Sequence, residues 1–161
     1  LVRHLIDRGH TKIAGYFKSD DIQGHQRYSG FISELFRSGL IIPDENVFWY
    51  TTETKENLFD DPEEVLKRLG DNTAVVCYND EVAFGLVKCL LSAGRRVPED
   101  VAVVSFDNSN LSWISQVPIT SLSYEDRNIG RIAAQKLVDI LDGRDVSSEV
   151  LPWTFIQKES S

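Results

Sequence analysis

The sequence is short of the groups from which catalytic and metal sites are commonly built. It has two cysteines, Cys77 and Cys89, without the spacing of metal ligands, and three histidines scattered along the chain. It contains no G-x-S-x-G elbow, no G-x-x-x-x-G-K-[ST] phosphate loop and no G-x-G-x-x-G dinucleotide fingerprint. These absences do not favour an enzyme, and we expect no metal ion and no cofactor.

Positive charge and long apolar runs are also scarce. The chain carries 17 Lys and Arg against 25 Asp and Glu, which gives a formal net charge of -8. Because a nucleic-acid backbone is held by a basic patch, we do not expect this segment to grip DNA, although a separate DNA-binding domain in a longer protein is compatible with it. No apolar run reaches about 18 residues, so we expect no membrane span. The cysteines are interpreted as small core residues of a reducing, cytoplasmic compartment.

The apolar residues that are present predict one α/β domain. The chain has 161 residues, 42% of them hydrophobic, which is enough for a substantial core. Continuous apolar runs alternate with amphipathic helical segments, which predicts a parallel sheet with helices on both faces. The predicted strands are Lys12–Phe17, Asn46–Thr51, Thr73–Tyr78, Val101–Phe106, Ile119–Tyr124 and, in the tail, Glu149–Gln157.

Hydrophilic side chains follow several of the predicted strands. The segment CYNDEVAFG places Asn79 and Asp80 directly after one strand, and Asp107 follows the next. In an open α/β sheet, ligands bind in the crevice beyond the carboxyl ends of the strands. A carboxylate accepts two hydrogen bonds side by side, an arginine donates two and an amide does one of each. Arg27 begins the helix that follows the first predicted strand and its loop, and its long side chain can reach inward. Together, Asp107, Asn79 and Arg27 therefore suit the binding of a small polyol.

Simpler interpretations exist for each of these residues. Asn79 and Asp80 are common helix N-caps, because their side chains satisfy free backbone N–H groups. The pair Asp107 and Asn108 could form an ordinary turn, and Arg27 could be a solvated helix residue.

Aromatic residues and further carboxylates near the same edge leave other possibilities open. Trp113 is the best candidate for stacking on a ligand because it comes shortly after Asp107, and Tyr124 is another. Trp49 and Trp153 are more typical of core or interface packing. A glycosidase pair formed by Asp20 or Asp21 with Asp107 is conceivable, but no spacing rule supports it.

Several motifs, in one order, resemble a known family. The sequence resembles the effector-binding region of the lactose/galactose-repressor family, which shares its type I fold with periplasmic sugar-binding proteins. The stretch Phe17–Gly24 is most similar to arabinose-responsive repressors of Gram-positive bacteria, which carry a winged-helix DNA-binding domain of the gluconate-repressor type. The matching pieces are LIDRGHTKIAGY (Leu5–Tyr16), RYSGF (Arg27–Phe31), YNDEVAFG (Tyr78–Gly85), VPEDVAVVSFDNS (Val97–Ser109) and ITSLSYEDRNIGRIAAQKLVDIL (Ile119–Leu141).

The resemblance implies a set of sugar-binding residues. Arg27, Asn79 and Asp107 match the family positions that bind sugar hydroxyls, with Asp80 as a capping and support residue. Ser105 stands where the family usually has glycine. The remaining implied contacts are Tyr124, at a position that is often glutamine, and the residues of the arabinose-like branch, Lys18, Asp20 and Gln23.

The family has two lobes that flank a cleft, and the resemblance implies that this chain is a fragment of one such domain. Residues 11–121 and 146–161 are expected to form the C-terminal lobe, with helices at residues 1–9 and 125–142 belonging to the N-terminal lobe. The DNA-binding domain is expected to lie outside this chain. Phe84–Gly94 and Asn108–Trp113 are expected to contribute to a homodimer interface.

We therefore expect the sugar-sensing part of a cytoplasmic bacterial transcriptional repressor. L-arabinose binding between the lobes would lower the affinity for operator DNA, with no bond-making chemistry and no membrane contact. The alternative is a solute-binding protein for sugar transport. Glu125→Ala and Arg127→Ala are expected to leave sugar binding nearly unchanged.

Overall fold

The computed structural model describes residues 1–41, 43–124 and 129–161. Within them, strands and helices alternate along most of the chain, as the apolar pattern predicts. The strands are β1 Ile13–Lys18, β2 Val47–Tyr50, β3 Ala74–Cys77, β4 Ala102–Phe106, β5 Thr120–Ser123 and β6 Thr154–Ile156. The helices are α1 Val2–Asp7, α2 Ile22–Arg37, α3 Pro62–Leu69, α4 Asp80–Ser92, α5 Asn110–Ile114 and α6 Ile129–Leu141, with 3-10 turns at Asp44–Asn46 and Lys55–Asn57.

The strands form one sheet in the order β2-β1-β3-β4-β5-β6. Neighbours from β2 to β5 run parallel, and β6 pairs antiparallel with β5. The chain winds from β1 to β2 in one direction and from β3 to β5 in the other. The loops after β1 and β3 therefore diverge, which opens a crevice at the carboxyl edge where ligands of such sheets bind.

Helices cover both faces of the sheet, because alternate residues of each strand point to opposite sides. On one face, Ile13 and Phe17 of β1 pack with Phe31 and Leu35 of α2. On the other face, alternate residues of β1, β3 and β4 pack under α3 and α4. Each large apolar side chain buried in this way contributes about 1.5–3 kcal/mol. The expected fold, a parallel sheet with helices on both faces, is thus confirmed.

The first and last helices differ in how they pack. Val2 and Leu5 of α1 are buried in the same core as α2 and the sheet. This packing does not favour the expectation that residues 1–9 belong to another lobe. In contrast, all of α6 is described and none of its residues is buried. Its exposed apolar side chains are Ile129, Leu137, Val138, Ile140 and Leu141.

Three details were not predicted or lie outside the described residues. The last strand, Thr154–Ile156, is shorter than the expected Glu149–Gln157. The short helix Asn110–Ile114 follows β4 and was not among the predicted helical segments. Glu125 and Arg127, whose substitution is expected to spare sugar binding, are not among the described residues.

Among the residues that the structure describes, no helix has the length and apolar character needed to cross a membrane.

Two glycines of α2 give a paired test of the packing between this helix and β1. A Cβ atom at Gly24 would lie 1.8 Å from the Lys18 carbonyl oxygen, whereas one at Gly30 would meet nothing within 4 Å. Gly24→Ala is expected to lower the free energy of unfolding by about 1–3 kcal/mol through overpacking. Gly30→Ala is expected to raise it by up to about 1 kcal/mol, since alanine favours the helix.

Thermal and urea denaturation of the purified variants would measure both effects. Both variants place alanine for glycine in the same helix. The difference between their free energies of unfolding therefore reports the close approach of residue 24 to the Lys18 carbonyl oxygen. Equal stability of the two variants would contradict the packing described here.

Candidate functional site

A cavity of about 710 Å³ lies between α2 and the carboxyl ends of β4 and β5, and it extends along α2 to α1. Four of the residues predicted to bind a ligand contribute to its wall. The lining residues are Leu1, Val2, Arg3, Gln23, Gln26, Arg27, Gly30, Phe31, Glu34, Val76, Phe106, Asp107, Leu122, Tyr124, Ile129 and Trp153. Both polar and apolar side chains therefore face this space.

Arg27 and Asp107 form an ion pair on the cavity wall. Arg27 Nη2 lies 3.2 Å from Asp107 Oδ1 and donates a hydrogen bond to it. The Arg27 side chain is 11% exposed, whereas the Asp107 side chain is 44% exposed. The guanidinium is thus fixed inside the wall, and the carboxylate keeps oxygen lone pairs that face the open space.

The environment of Arg27 fixes the plane of its guanidinium group. Nη1 donates a hydrogen bond to the carbonyl oxygen of Tyr78, the last residue before α4's N-cap. The guanidinium carbon lies 4.6 Å from the centroid of the Tyr78 ring and 4.4 Å from that of Phe106. Cation–π contacts at this distance stabilise a charged group that is largely removed from water.

Asp107 sits in a backbone conformation that directs its carboxylate to the cavity edge. Its φ angle is 98°, and Asn108 follows with a φ of 46°, so the chain turns in the left-handed region as it leaves β4. Burial raises the pKa of the Asp107 carboxyl above its usual value, Arg27 opposes this shift and the Asp80 carboxylate adds to it. Among the described residues, the hydrogen bond that this carboxylate accepts comes from Arg27.

An aromatic wall stands beside this ion pair. The rings of Tyr124 and Trp153 are nearly stacked, with centroids 3.9 Å apart at 32°, and the Phe106 ring meets Trp153 at 5.9 Å and 73°. Sequence reasoning assigned Trp153 to core or interface packing and favoured Trp113 for stacking. In the structure Trp113 is not on the cavity wall, and it is 54% exposed beside Lys158. The antiparallel pairing of Ser123 with Thr154, which carries Trp153 to Tyr124, was not visible in the sequence.

Three predicted ligand residues lie near the same sheet edge but outside the wall of this cavity. Asn79 is the N-cap of α4, where its side-chain oxygen accepts a hydrogen bond from the backbone N–H of Val82 at 3.0 Å. Lys18 lies 3.5 Å from Asp20 and 3.4 Å from Asp21. Hydrogen bonds from the backbone and hydroxyl of Thr52 lower the pKa of Asp20 to about 2. These polar groups extend the edge from the cavity toward β2.

Asp80 braces the site and is not its helix cap. It is 1% exposed, and its carboxylate accepts hydrogen bonds from the Ser105 hydroxyl, from the Ser121 hydroxyl at 2.8 Å and from the Ser109 backbone N–H at 2.5 Å. We expected Asp80 to be a capping and support residue, and the structure assigns the capping to Asn79. Ser105, which replaces the glycine usual in the resembling family, is one of the donors.

The described residues of the cavity wall include two carboxylates, Glu34 and Asp107, and neither of the two cysteines. Across the described ranges, no three His, Cys, Asp or Glu side chains are arranged to hold a metal ion. Cys77 and Cys89 are free and buried, and burial raises the pKa of both thiols. The arrangement is thus suited to binding through hydrogen bonds and ring contacts.

Comparison with known proteins places the whole chain in one family. Residues 2–161 match the family described as a periplasmic binding protein-like domain. The arabinose metabolism transcriptional repressor of Halalkalibacterium halodurans is 36% identical over 145 residues, which cover 87% of this chain and 38% of the relative. That of Geobacillus stearothermophilus is 35% identical over 149 residues, which cover 91% and 41%. The chain thus spans about two fifths of these curated relatives.

A solved structure agrees with this placement. The chain superposes on the complex of the transcriptional regulator CelR with cellobiose at a TM-score of 0.86 and 30% identity. The match covers 99% of this chain and 50% of the other. The likeness therefore extends over nearly every element described above.

The ion pair gives a test that needs no knowledge of the ligand. Because the guanidinium favours the charged form of Asp107, Arg27→Met is expected to raise the pKa of that carboxyl further above its usual value. NMR titration that follows the side-chain carboxyl carbon of Asp107 in the purified protein would measure this pKa. Arg37→Met, which changes an exposed arginine of the same helix, is the control and is expected to leave the pKa unchanged. A lower Asp107 pKa in Arg27→Met would contradict the pairing.

Proposed function

The chain belongs to the periplasmic binding protein-like domain family, and on that basis we propose that it is the effector-binding part of a bacterial transcriptional repressor that senses a sugar. The observation that carries the proposal is the wall of the cavity at the sheet edge, where Arg27 and Asp107 pair beside the aromatic rings of Phe106, Tyr124 and Trp153. The names of the relatives, which are transcriptional repressors, support it.

This wall matches the chemistry of a sugar. The Asp107 carboxylate accepts hydrogen bonds from two neighbouring hydroxyls, and the fixed Arg27 guanidinium donates to hydroxyl or ring oxygens. The apolar face of the sugar ring lies against the aromatic wall. Gln23, on the turn of α2 that precedes Arg27, adds an amide that both donates and accepts.

We propose L-arabinose as the effector. Two relatives at 35–36% identity are named as arabinose metabolism repressors. The resemblance of the stretch Phe17–Gly24 to arabinose-responsive repressors supports the same effector. Lys18 and Asp20 lie at the same edge as the cavity, and Asn79 stands at the start of α4 nearby. In this proposal these three complete the polar surround of the sugar on the side toward β2.

We propose further that the cleft has a second wall in the parent protein. The exposed apolar stripe of α6 supports this, because a helix with an apolar side normally packs it against another element. Residues 1–124 and 146–161 then form one lobe, and α6 belongs to the other lobe. This keeps the expected position of the helix in residues 125–142 and moves α1 to the sheet, where Val2 and Leu5 are buried.

The response to sugar is proposed to be a population shift within a homodimer. Sugar that bridges the two lobes favours the closed form, and the closed form binds operator DNA more weakly. The exposed side chains of Trp113 and Ile114 support a dimer contact on this side of the sheet, where Ile114 lines a groove with Phe84 of α4. The DNA contact belongs to a domain outside this chain, which is acidic overall.

No bond-making step is proposed for this site. The cavity wall lacks a nucleophile activated by a neighbouring base in the described residues, and the relatives named above are repressors. The alternative of a solute-binding protein for sugar transport receives no support from those relatives. Cytoplasmic location is part of the repressor proposal.

Isothermal titration of the full-length parent protein with a panel of pentoses and hexoses tests the proposal. L-arabinose is expected to bind with a dissociation constant of about 1 μM. Asp107→Ala is expected to weaken binding by roughly 10- to 100-fold, since hydrogen bonds to a charged group contribute about 1.5–3 kcal/mol each. The same titration in the presence of operator DNA is expected to show release of the DNA.

Asp71→Ala is the matched control for that experiment. Asp71 is exposed, pairs with Lys12 and precedes β3 at the opposite edge of the sheet, so its loss is expected to leave sugar binding unchanged. Absence of binding by every free sugar, or equal binding by Asp107→Ala, would reject the sugar-sensing proposal and leave only the fold.

A further inference from the structure

Lys158 has an unusual position for a lysine, because its side chain enters the interior next to the turn that carries Asp107. The residue is 9% exposed, and it follows β6 near the end of the described chain. Its ammonium group donates to Asn108 Oδ1 at 2.6 Å, to Ser112 Oγ at 2.9 Å and to the carbonyl oxygen of Ile119 at 2.9 Å. It also lies 4.3 Å from the centroid of the Trp113 ring.

The backbone of Lys158 is itself fixed to β5. Its N–H donates to Thr120 Oγ1 at 3.0 Å, and the same hydroxyl lies 3.2 Å from the Lys158 carbonyl oxygen, to which it donates. Thr120 is fully buried. The base of the lysine side chain therefore cannot shift relative to the sheet without breaking buried hydrogen bonds, which are costly to leave unmade.

The acceptors of the ammonium group surround the turn after β4. Asn108 is the second residue of that turn and has a φ of 46°, Ser112 lies in α5, and Ile119 immediately precedes β5. Asparagine adopts a positive φ more readily than most residues do, and hydrogen bonds to its side chain add to this preference. Lys158 joins the three segments at one point.

Contacts on the opposite side of the turn complete this arrangement. The Asn108 backbone N–H donates to Ser121 Oγ at 3.0 Å, and the Ser109 N–H donates to Asp80. The turn is thus held between a buried carboxylate under the sheet edge and an ammonium group from the C-terminal segment. Asp107 is the residue just before the two that are held.

We propose that Lys158 is a positioning residue of the ligand site. By holding the Asn108 side chain it keeps the turn in its left-handed conformation, and the Asp107 carboxylate consequently stays beside Arg27 at the cavity edge. The inference rests on the proposed function only in taking Asp107 to be the group that grips the sugar. It gives the C-terminal segment two tasks at the site, since the same segment supplies Trp153 to the cavity wall.

Hydrogen exchange in the full-length parent protein tests the positioning without any ligand. Lys158→Met keeps the length of the side chain and removes the donor. The backbone amides of Asn108 and Ser109 are expected to exchange at least roughly tenfold faster in this variant, because their turn loses hydrogen bonds to a charged group. The amides of β3, Ala74–Cys77, serve as the internal reference and are expected to keep their rates.

Two further variants make the comparison specific. Lys67→Met removes an exposed lysine of α3 that pairs with Glu64, and it is expected to leave exchange in the turn unchanged. Lys158→Gln keeps a hydrogen-bond donor and removes the charge, and it is expected to accelerate exchange in the turn to a smaller extent. Because its amide can still donate inside the protein, this second variant answers the same question if Lys158→Met does not fold.

Sugar titration of the same variants provides the functional measurement. Lys158→Met is expected to weaken sugar binding roughly tenfold, and Lys67→Met is expected to leave it unchanged. Unchanged exchange at Asn108 and Ser109, or acceleration shared equally by β3, would overturn the positioning role. Faster exchange in the turn with undiminished sugar affinity would overturn its link to the site. If the wild-type protein binds no sugar, the sugar-sensing proposal fails while the exchange rates still decide the role of Lys158.

Discussion

The hydrogen bonds to the buried carboxylate of Asp80 hold together the carboxyl edge of the sheet, where the candidate site lies. A carboxylate that is 1% exposed costs several kcal/mol in desolvation unless hydrogen bonds replace the lost water. Its donors come from β4, from β5 and from the turn between them, through Ser105, Ser121 and Ser109. The position at the start of α4 adds the partial positive charge of a helix N-terminus. The three segments must therefore keep their mutual positions, because moving any one of them takes a hydrogen-bond donor away from a buried charge.

This constraint separates two carboxylates that the sequence places in similar settings. Asp80 follows β3 and Asp107 follows β4. The Asp80 oxygens accept hydrogen bonds inside the protein, whereas the Asp107 side chain accepts one, among the described residues, only from Arg27. The proximity of Asp80 is also one reason why the pKa of Asp107 is raised, after the larger effect of burial. One carboxylate thus holds the scaffold, and the other retains acceptor capacity for a ligand. Lys158, which donates to Asn108 on the other side of the turn, acts with Asp80 in holding the scaffold.

The sequence predicted the sheet well, and it predicted that polar residues collect at one edge of it, because both follow from local patterns. Continuous apolar runs indicate buried parallel strands, and polar residues at their carboxyl ends must collect at one edge. What was missed depends on contacts between distant residues. The pairing of Ser123 with Thr154 brings Trp153 to the cavity, and five residues of α5 are too few to show a helical period. Likewise, the direction of a side chain separates the capping role of Asn79 from the bracing role of Asp80, and neighbouring positions in a sequence carry no such direction.

The half-open geometry of the site bears on how a sugar could act as a signal. The Asp107 side chain is 44% exposed, so its hydrogen bonds to a sugar compete with water in this half of the cleft. Closure by a second wall would exclude that water, and the same hydrogen bonds would then be stronger. A sugar would therefore gain affinity on closure, and this difference in affinity between the open and closed forms is the only source from which it can shift their populations. A rigid turn at Asp107 is compatible with such a switch, because a carboxylate fixed in advance allows the binding energy to be spent on moving the lobes and not on ordering the site.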